Sequence, residues 1–274
     1  MKETLNIFFK NEGIEYFAAL SYGDLAVTNK KIADRLDFSP RSAIVFLIPY
    51  YTGTAVNLSE YAVAKDYHIY VKEITGKLTE VLRKDYPNYS YVGFGDHSPI
   101  NERAAAAAGG LGVIGDNGLL INERYGSYVF IAELLTDAPP ELVGAVLPRP
   151  IMHCEGCGAC RLACPSGRLS DPLSPCLSAV TQKKGDLTDD EVRLVRASST
   201  VWGCDACQSA CPHNLTPVKT PIDFFKNGLT PALTDKVLLE MSDCDFSERA
   251  YSWRGRKTVQ RNLEILSQNS IKPD

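Results

Sequence analysis

The chain has 274 residues, a formal net charge of −4 and 45% hydrophobic residues. That length allows one large domain or two smaller ones, and the near-neutral charge excludes a strongly basic nucleic-acid-binding protein. The sequence holds no apolar segment of the ~18 residues that a membrane-spanning helix needs, and its N-terminus lacks the apolar core of a secretory signal. We therefore expect a cytoplasmic protein that does not contact a membrane.

Residues 1–150 are predicted to form a mixed α/β domain. A first helix is predicted over residues 2–20, and the run SAIVFLIP at Ser42–Pro49 predicts a buried strand. Residues 61–84 show the apolar spacing of a helix that ends before Pro87. The alanine-rich segment Glu102–Ala108 predicts another helix, because alanine is the best helix former.

The rest of the chain is predicted from its strand and proline signals. Residues 119–122 and 128–135 are expected to form a strand pair around a turn. Residues 137–150 contain four prolines and are interpreted as a linker. A cysteine-rich domain is then predicted over residues 151–215, followed by a helical tail over residues 216–274. The fold class is therefore α+β.

Eight of the nine cysteines lie between Cys154 and Cys211. Cys154 opens the pattern C-x2-C-x2-C-x3-C-P, which is the spacing of bacterial two-cluster ferredoxins. A second pattern, C-x2-C-x3-C-P, begins at Cys204 and lacks one cysteine, which Cys176 can supply. The eight thiols predict two 4Fe–4S clusters with the following ligands: Cys154, Cys157, Cys160 and Cys211 for one, and Cys164, Cys176, Cys204 and Cys207 for the other.

Structural zinc and disulfides are the alternative uses of these cysteines. Zinc sites use pairs of C-x2-C and leave the triple spacing and both Cys-Pro steps unexplained. Disulfides are rare in the reducing cytoplasm. The ninth cysteine, Cys244, has no motif and is expected to be a semi-buried thiol without a metal.

A G-x-G-x-x-G pattern formed by Gly110, Gly112 and Gly115 is similar to a dinucleotide-binding fingerprint. That fingerprint follows a strand and opens a helix. Here the pattern follows a predicted helix and runs into a turn and a strand, so we do not expect it to bind a nicotinamide cofactor. Close approach of this backbone to some flat cofactor stays open.

Several segments together resemble the epoxyqueuosine reductase family. The stretch DHSPINERAAAAAGGLGVIGDNGLLIN from Asp96 is similar to the core motif of that family, and YAVAKDYH from Tyr61 is similar to a second block. GSYVFIAELLTD from Gly126, the cysteine array and RGRKTVQRN from Arg254 also match. The resemblance covers nearly the whole chain, and we expect a short form without the family's C-terminal helical repeat.

The resemblance implies a nitroreductase-like domain that binds cobalamin, followed by a two-cluster ferredoxin-like domain. It implies reduction of epoxyqueuosine to queuosine in tRNA, with Asp96 as the proton donor. Burial beside the corrin is expected to raise the pKa of this carboxyl. The segments that line the corrin carry these positions: Tyr61, Gly112, Ile114, Leu120, Ile131, Ser178 and Asp205. Without the resemblance, Asp96 would be interpreted as a turn or helix-capping residue.

The chain departs from the family pattern at a few positions. His97 and Ser98 replace a threonine and an alanine after the family's aspartate, and Asp116 replaces the lysine of its G-K-N segment. These departures bear on the substrate more than on the cofactors.

Three functions are compatible with the sequence. The first is reduction of epoxyqueuosine in tRNA, and the second is corrinoid and iron–sulfur reduction of a different small molecule. The third is a non-catalytic iron–sulfur electron carrier.

Two partners are expected. One is an electron donor of the ferredoxin or flavodoxin type, and the other is tRNA, whose phosphates would contact a run of basic residues. A solvated helix face is the other interpretation of that run, which consists of Arg249, Arg254, Arg256, Lys257 and Arg261.

Overall fold

The computed structural model describes residues 1–268 of the chain. The chain divides into two compact units. The first unit consists of residues 1–49 and 68–156, and the second consists of residues 50–67 together with the chain from residue 157. Among the described residues no helix is both long and apolar enough to cross a membrane.

The first unit is built on antiparallel strands. Its helices and strands are, in chain order, α1 (Lys2–Asn11), β1 (Phe17–Ser21), α2 (Lys30–Ala33), β2 (Ser42–Pro49), α3 (Tyr67–Asp85), β3 (Tyr91–Gly95), α4 (Glu102–Ala108), β4 (Val113–Ile114), β5 (Leu120–Ile121), β6 (Val129–Thr136) and α5 (Pro140–Val143). A sheet in the order β1-β2-β6-β3 has antiparallel neighbours throughout. Strands β4 and β5 pair separately.

Strand β2 lies inside the first unit, and all eight of its residues are buried. On one face, Val45 and Leu47 belong to the same core cluster as the alanines of α4. On the other face, the ring of Phe46 lies 5.0 Å from that of Phe9 on α1. A strand covered on both faces needs an unbroken apolar run rather than an alternating one, which explains the sequence of β2.

Strand β3 lies close to α3. A Cβ atom added to Gly93 would overlap the side chain of Thr75, and one added to Gly95 would lie 3.1 Å from Val71. Glycine is therefore required where β3 approaches this helix. The neighbouring strand β6 places Glu133 opposite both Val45 and Phe94, so that a carboxyl group stands in the middle of the sheet.

The second unit is predominantly helical. Its helices are, in chain order, α6 (Ala159–Ala163), α7 (Leu177–Thr181), α8 (Asp189–Ser198), α9 (Ala206–Ser209), α10 (Asp235–Glu240), α11 (Asp243–Ser247) and α12 (Arg256–Ser267). Trp202 and Tyr251 are fully buried in its main core, with ring centroids 6.2 Å apart. The buried Asn262 on α12 donates hydrogen bonds of 2.8 Å to the carbonyls of Thr181 and Val201, which ties α12 to the cysteine-rich part.

The structure corrects three of the predicted elements. The helix expected over residues 2–20 ends at Asn11, because Gly13 takes the left-handed conformation with φ 70° and β1 follows. The expected strand pair does not form: β5 pairs with β4, and β6 pairs with β2 and β3. The expected linker contains α5, whose Val143 is buried.

Other elements agree with the prediction in type. Strand β2 and helix α4 have the predicted bounds, while the helix expected over residues 61–84 begins at Tyr67 and ends at Asp85. The predicted domain boundaries differ from the observed units, because residues 50–67 pack with the cysteine-rich part. The end of the predicted tail, residues 269–274, lies outside the described residues.

Candidate functional site

All eight cysteines predicted as cluster ligands, the seven of the two motifs and Cys176, are free thiols, as is Cys244. Cys160 and Cys211 are buried and the other motif thiols are half-buried or exposed. Within the second unit, the short helices α6 and α9 pack against each other, and each carries one motif cysteine, Cys160 and Cys207. Across residues 1–268, no group of three or more histidine, cysteine or acidic side chains is arranged to hold a single metal ion.

Two cysteines assigned to the second cluster, Cys164 and Cys176, lie close enough to a third, Cys204, to act on it. Burial raises the pKa of the Cys204 thiol, and the nearby Asp205, Cys176 and Cys164 raise it further. At Cys164 burial acts in the same direction, but main-chain N–H groups, led by that of Leu169, outweigh it and lower the pKa. The thiolate is the form of cysteine that binds metal. The proximity of Cys164, Cys176 and Cys204 supports their assignment to one cluster.

The first motif cysteine is attached to the glycine-rich segment of the first unit. The Cys154 N–H donates to the carbonyl of Ile114 at 3.0 Å, next to a β-bridge between Ile114 and His153. The Asp116 N–H donates to the Cys154 Sγ at 3.3 Å. Hydrogen bonds to ligating sulfur are one of the ways in which proteins set the potential of an iron–sulfur cluster. Asp116 therefore lies next to a cysteine that the sequence predicts as a cluster ligand.

Asp96 lies in the turn between β3 and α4. It is exposed and has a φ of 66°, which is the left-handed conformation that few residues other than glycine adopt. The helix cap is Asn101, whose side chain accepts the Ala104 N–H at 3.1 Å, so Asp96 does not cap α4. A strained, exposed aspartate without a capping role is typical of a functional position. The burial that we expected for this carboxyl is found instead at its neighbour Glu102.

Glu102 is the first residue of α4. Its Oε2 accepts the Asp96 N–H at 3.1 Å, which stabilises the strained turn. Burial, and next the charge of Asp96, raise the pKa of Glu102 to about 7, while His68 and Arg103 oppose this shift. Two carboxyl groups of different character therefore share this turn, one exposed and one poised near neutral pH.

Glu133 is a third carboxyl group close to the same turn. It is fully buried, and the Ser98 hydroxyl donates to its Oε1, while its Oε2 is buried and has no hydrogen-bond partner within residues 1–268. Burial, and in addition the charge of Glu102, raise the pKa of Glu133 to about 9. A carboxyl group in this environment is protonated at neutral pH.

The glycine-rich segment does not have the geometry of a dinucleotide site, in agreement with the sequence-based expectation. It follows α4 and leads into the β4–β5 hairpin. A Cβ atom on Gly112 would overlap the main-chain carbonyl of Ile121, and one on Gly110 would lie 2.7 Å from the guanidinium of Arg149. Packing against main chain requires glycine at Gly112, and the left-handed conformation, with φ 78°, favours it at Gly110.

The residues predicted to line a corrin fall in both units. In the first unit, Gly112 and Ile114 are half-buried, whereas Leu120 and Ile131 are buried in the core around α4. Packing within the unit accounts for the apolar character of the two core residues.

The predicted corrin-lining residues of the second unit make polar contacts there. The Asp205 carboxylate accepts the Ser59 hydroxyl and, at 2.6 Å, the Glu60 N–H, and burial raises the pKa of this carboxyl. The Tyr61 hydroxyl accepts the Trp202 indole N–H at 2.9 Å. Ser178 accepts the Gln182 side-chain N–H at 3.0 Å.

The predicted basic run is largely engaged by its own unit. The Arg256 guanidinium donates to three main-chain carbonyls and forms a 3.1 Å ion pair with Asp243. Arg261 donates to the carbonyls of Lys183 and Gly185, and Arg249 donates to that of Gly228. Arg254 stacks on the exposed ring of Trp253, and Lys257 is exposed. The run therefore has a structural function at three of its five positions.

Glu102 and Glu133 are the site residues that sequence reasoning missed. Glu133 had a signal, since it is the one charged residue in the apolar run VFIAELLT, and a buried charge in such a run calls for an explanation. Glu102 had none, because an acidic residue in the first turn of a helix is ordinary. Cys244 also differs from expectation, because it is exposed rather than semi-buried.

Comparison with known proteins gives matches for both parts of the chain. Residues 153–214 match the family model of the 4Fe–4S double cluster binding domain. The epoxyqueuosine reductase of Leadbetterella byssophila is 32% identical over 240 residues, covering 83% of this chain and 78% of the relative. That of Bacillus subtilis is 34% identical over 212 residues, covering 72% of this chain and 52% of the relative.

Solved structures agree in fold. The epoxyqueuosine reductase of Streptococcus thermophilus superposes with a TM-score of 0.79 at 25% identity, over 99% of this chain and 81% of the other. An epoxyqueuosine reductase crystallised with an epoxyqueuosine-modified tRNA stem loop gives a TM-score of 0.75 at 24% identity, over 96% of this chain and 80% of the other. The chain spans little more than half the length of the first curated relatives that it matches.

The fold and the cysteine array define an iron–sulfur protein of the double 4Fe–4S cluster class, in which the cluster segment is joined to an α/β unit that carries a group of carboxyls. The similarity over most of both chains makes the assignment narrower. The chain belongs to the epoxyqueuosine reductase family.

Proposed function

We propose that this chain is an iron–sulfur and cobalamin-dependent oxidoreductase that reduces epoxyqueuosine to queuosine in tRNA. The observation that carries the proposal is Asp96, an exposed aspartate held in a strained turn by Glu102. It occurs in the same chain as eight free thiols with the spacing of two clusters. A simple electron carrier needs the thiols but has no use for the carboxyl site.

The eight cysteines predicted as ligands fit two 4Fe–4S clusters in number and chemistry. They are the eight thiols that two cubanes require, and none is consumed in a disulfide. Their function is to pass electrons singly from an external donor of the ferredoxin or flavodoxin type. Asp116 and Asp205 stand next to ligand cysteines and place negative charge near the clusters.

Cobalamin is proposed because of the family resemblance and because two residues predicted to contact it have suitable side chains. Half-buried Ile114 offers an apolar side chain, and Tyr61 offers a ring whose hydroxyl already accepts a hydrogen bond from Trp202. Such surfaces fit the apolar face of a corrin. Bound cobalamin supplies a cobalt centre able to deliver an electron pair to the epoxide. In this proposal the first unit has the nitroreductase-like fold.

Asp96 acts as the acid at the epoxide oxygen. Its carboxyl is exposed at the end of β3, where a substrate can reach it, and Glu102 orients it through the Asp96 N–H. Protonation of the oxygen makes it a better leaving group as the carbon–oxygen bond breaks. Ser98 and the neutral Glu133 form the buried base of this turn.

The tRNA substrate is proposed from the family and from the related structure with a bound stem loop. Within the predicted basic run, Lys257 and the Trp253–Arg254 pair offer exposed groups for phosphates and bases. Reduction of a small molecule by the same machinery is the second candidate function. It is favoured because the guanidiniums of Arg249, Arg256 and Arg261 donate to main-chain carbonyls of this chain rather than facing tRNA phosphates.

The test is anaerobic reconstitution of the full chain with iron, sulfide and cobalamin, followed by assay of wild type and Asp96→Ala on tRNA that carries epoxyqueuosine. We expect the variant to keep its iron content and cobalamin spectrum but to lose turnover, with Asp37→Ala as a control for loss of an exposed aspartate elsewhere. Full activity in Asp96→Ala would refute the acid function. Wild-type turnover of free small molecules but not of tRNA would support the second candidate.

A further inference from the structure

The proposed reaction needs more protons than Asp96 holds. Removing the epoxide oxygen and restoring the double bond consumes two electrons and two protons and releases one water. The electrons come from a low-potential one-electron donor through the clusters, as in the proposed function on which this inference rests. A carboxylic acid at Asp96 supplies one proton. A second acid must therefore reach the same position.

Glu102 stands where a second acid is needed. Its Oε2 lies 3.1 Å from the Asp96 nitrogen, so the two carboxyl groups belong to one turn. It is held as the first residue of α4 by the Asn101 cap, while Asp96 is exposed toward solvent. The charge of Asp96 also raises the pKa of Glu102, so the two carboxyl groups lie near each other, and transfer of a proton requires a path between them.

The charged groups around Glu102 come from every element packed against it. Asp96 faces it from the turn, His68 from the start of α3, Arg103 from α4 itself, and Glu133 from β6. The Arg103 guanidinium keeps its charge and is held in place by donating to the Gly118 carbonyl at 2.5 Å.

We propose that Glu102 supplies the second proton of the reaction by reprotonating Asp96. The Asp96 acid first gives its proton to the epoxide oxygen and becomes a carboxylate. The O–H bond of Glu102 then breaks as a new O–H bond forms on Asp96, which protonates the departing hydroxyl to water. Both groups are then carboxylates, and two protons from solvent restore the acid forms of Glu102 and Asp96 before the next turnover. Because it acts through Asp96, Glu102 is a positioning and proton-supplying residue rather than a catalytic one.

The acidity of Glu102 suits this function. A pKa of about 7 leaves a large protonated fraction near neutral pH and still allows transfer to a carboxylate. Glu133 is less suited, because its pKa is about 9, it is fully buried and its Oε1 is engaged by Ser98. His68 is exposed and faces Glu102, so a relay through His68 is an outcome that the test must distinguish.

The experiment measures kcat and KM of the reconstituted holoenzyme on epoxyqueuosine tRNA from about pH 5 to pH 9. The variants are Glu102→Gln, Glu102→Asp and His68→Gln, with Glu80→Gln on the exposed face of α3 as the matched control. We expect the wild-type kcat to fall as the pH rises through about 7. Glu102→Gln should lower kcat roughly a hundredfold and remove that pH dependence, with KM unchanged.

The conservative variant and a spectroscopic titration separate proton supply from structure. Glu102→Asp should restore part of kcat together with a pH dependence. An infrared titration of the holoenzyme should show a carboxyl that ionises near pH 7 in wild type and that is lost in Glu102→Gln. Both variants should keep the iron and cobalamin content of wild type.

Two results would overturn the inference while leaving the proposed function intact. One is a Glu102→Gln enzyme with the kcat and pH profile of wild type. The other is a pH break that persists in Glu102→Gln but disappears in His68→Gln. A wild-type enzyme that never reduces epoxyqueuosine would instead overturn the proposed function, and this inference with it.

Discussion

The buried carboxyl of Glu133 makes the stability of the fold depend on pH in a defined direction. Its pKa is 4.5 in an unfolded chain and about 9 in the folded one, because of burial and the charge of Glu102. Between these values the unfolded chain releases the proton and the folded chain keeps it. The stabilising contribution is therefore fully present below the lower value and is lost as the pH rises through about 9.

Replacing Glu133 with glutamine removes this dependence with little change in shape. The glutamine carbonyl can still accept the Ser98 hydroxyl, and its neutral amide resembles the protonated acid. Each pH unit in the window corresponds to about 1.4 kcal/mol, so wild type loses about 3 kcal/mol between about pH 6 and pH 8 that the variant keeps. For a chain of this size, that difference corresponds to roughly 6–12 °C in Tm.

The assay is anaerobic calorimetry of wild type and Glu133→Gln holoprotein at matched pH values. The Tm difference, variant minus wild type, should grow steadily from pH 6 to pH 8. A mutation of the exposed Glu141 to glutamine provides the control and should give a difference that stays near zero. A Glu133→Gln difference that is constant or shrinks over this range would refute the argument that Glu133 is buried in its neutral form.

Three further predictions follow from other contacts. Asp116→Lys should raise the midpoint potential of the cluster held by Cys154, because a positive charge favours the reduced cluster. Redox titration followed by EPR measures this potential, and an unchanged or lower value would contradict the prediction. Asn262→Leu should lower the free energy of unfolding by about 2–5 kcal/mol, because it leaves two buried carbonyls unpaired. A loss below about 1 kcal/mol in a denaturant titration would show that these two hydrogen bonds contribute little to stability. Lys257→Gln should reduce the salt dependence of tRNA binding by about one phosphate contact. Arg261→Gln should instead lower the Tm, because the Arg261 guanidinium donates to the Lys183 carbonyl. A reduced salt dependence in Arg261→Gln with an unchanged Tm would show that Arg261 binds phosphate.

The cysteine chemistry and part of the fold could be predicted because their signals are local. Cluster ligands follow fixed spacings, so the array at Cys154 and Cys204 was informative without any structure, and its segment matches a double-cluster model. Strand β2 and helix α4 were predicted with their observed bounds, since an unbroken apolar run and an alanine run each have one favoured structure.

Predictions failed where distant pairing decides the structure. The residues of β1 continue the helical spacing of α1, but pairing of Phe17–Ser21 with β2 converts them to a strand. Strand β6 was identified, yet its partners β2 and β3 are far away in sequence, so the expected hairpin was wrong. Tertiary contacts override local preference in both cases.

Identification of the carboxyl site required both the sequence and the structure. The family motif singled out Asp96, but it contains no information about the strained turn or about the hydrogen bond to Glu102. The shift of the Glu102 pKa to about 7 arises from burial and from Asp96, six positions away, and such an effect is not visible in a residue pattern. The basic run shows the opposite case, because its sequence allowed either phosphate binding or a solvated helix face, and three of its arginines instead donate to main-chain carbonyls.

The central claim is that this chain by itself removes the epoxide oxygen. The most direct measurement is the mass of the modified nucleoside, released from an anticodon stem loop carrying epoxyqueuosine, after one anaerobic turnover with pre-reduced, cobalamin-loaded protein. We expect a product that is lighter by one oxygen atom and identical to queuosine. An unchanged nucleoside, obtained with protein that holds both clusters and cobalamin, would contradict it.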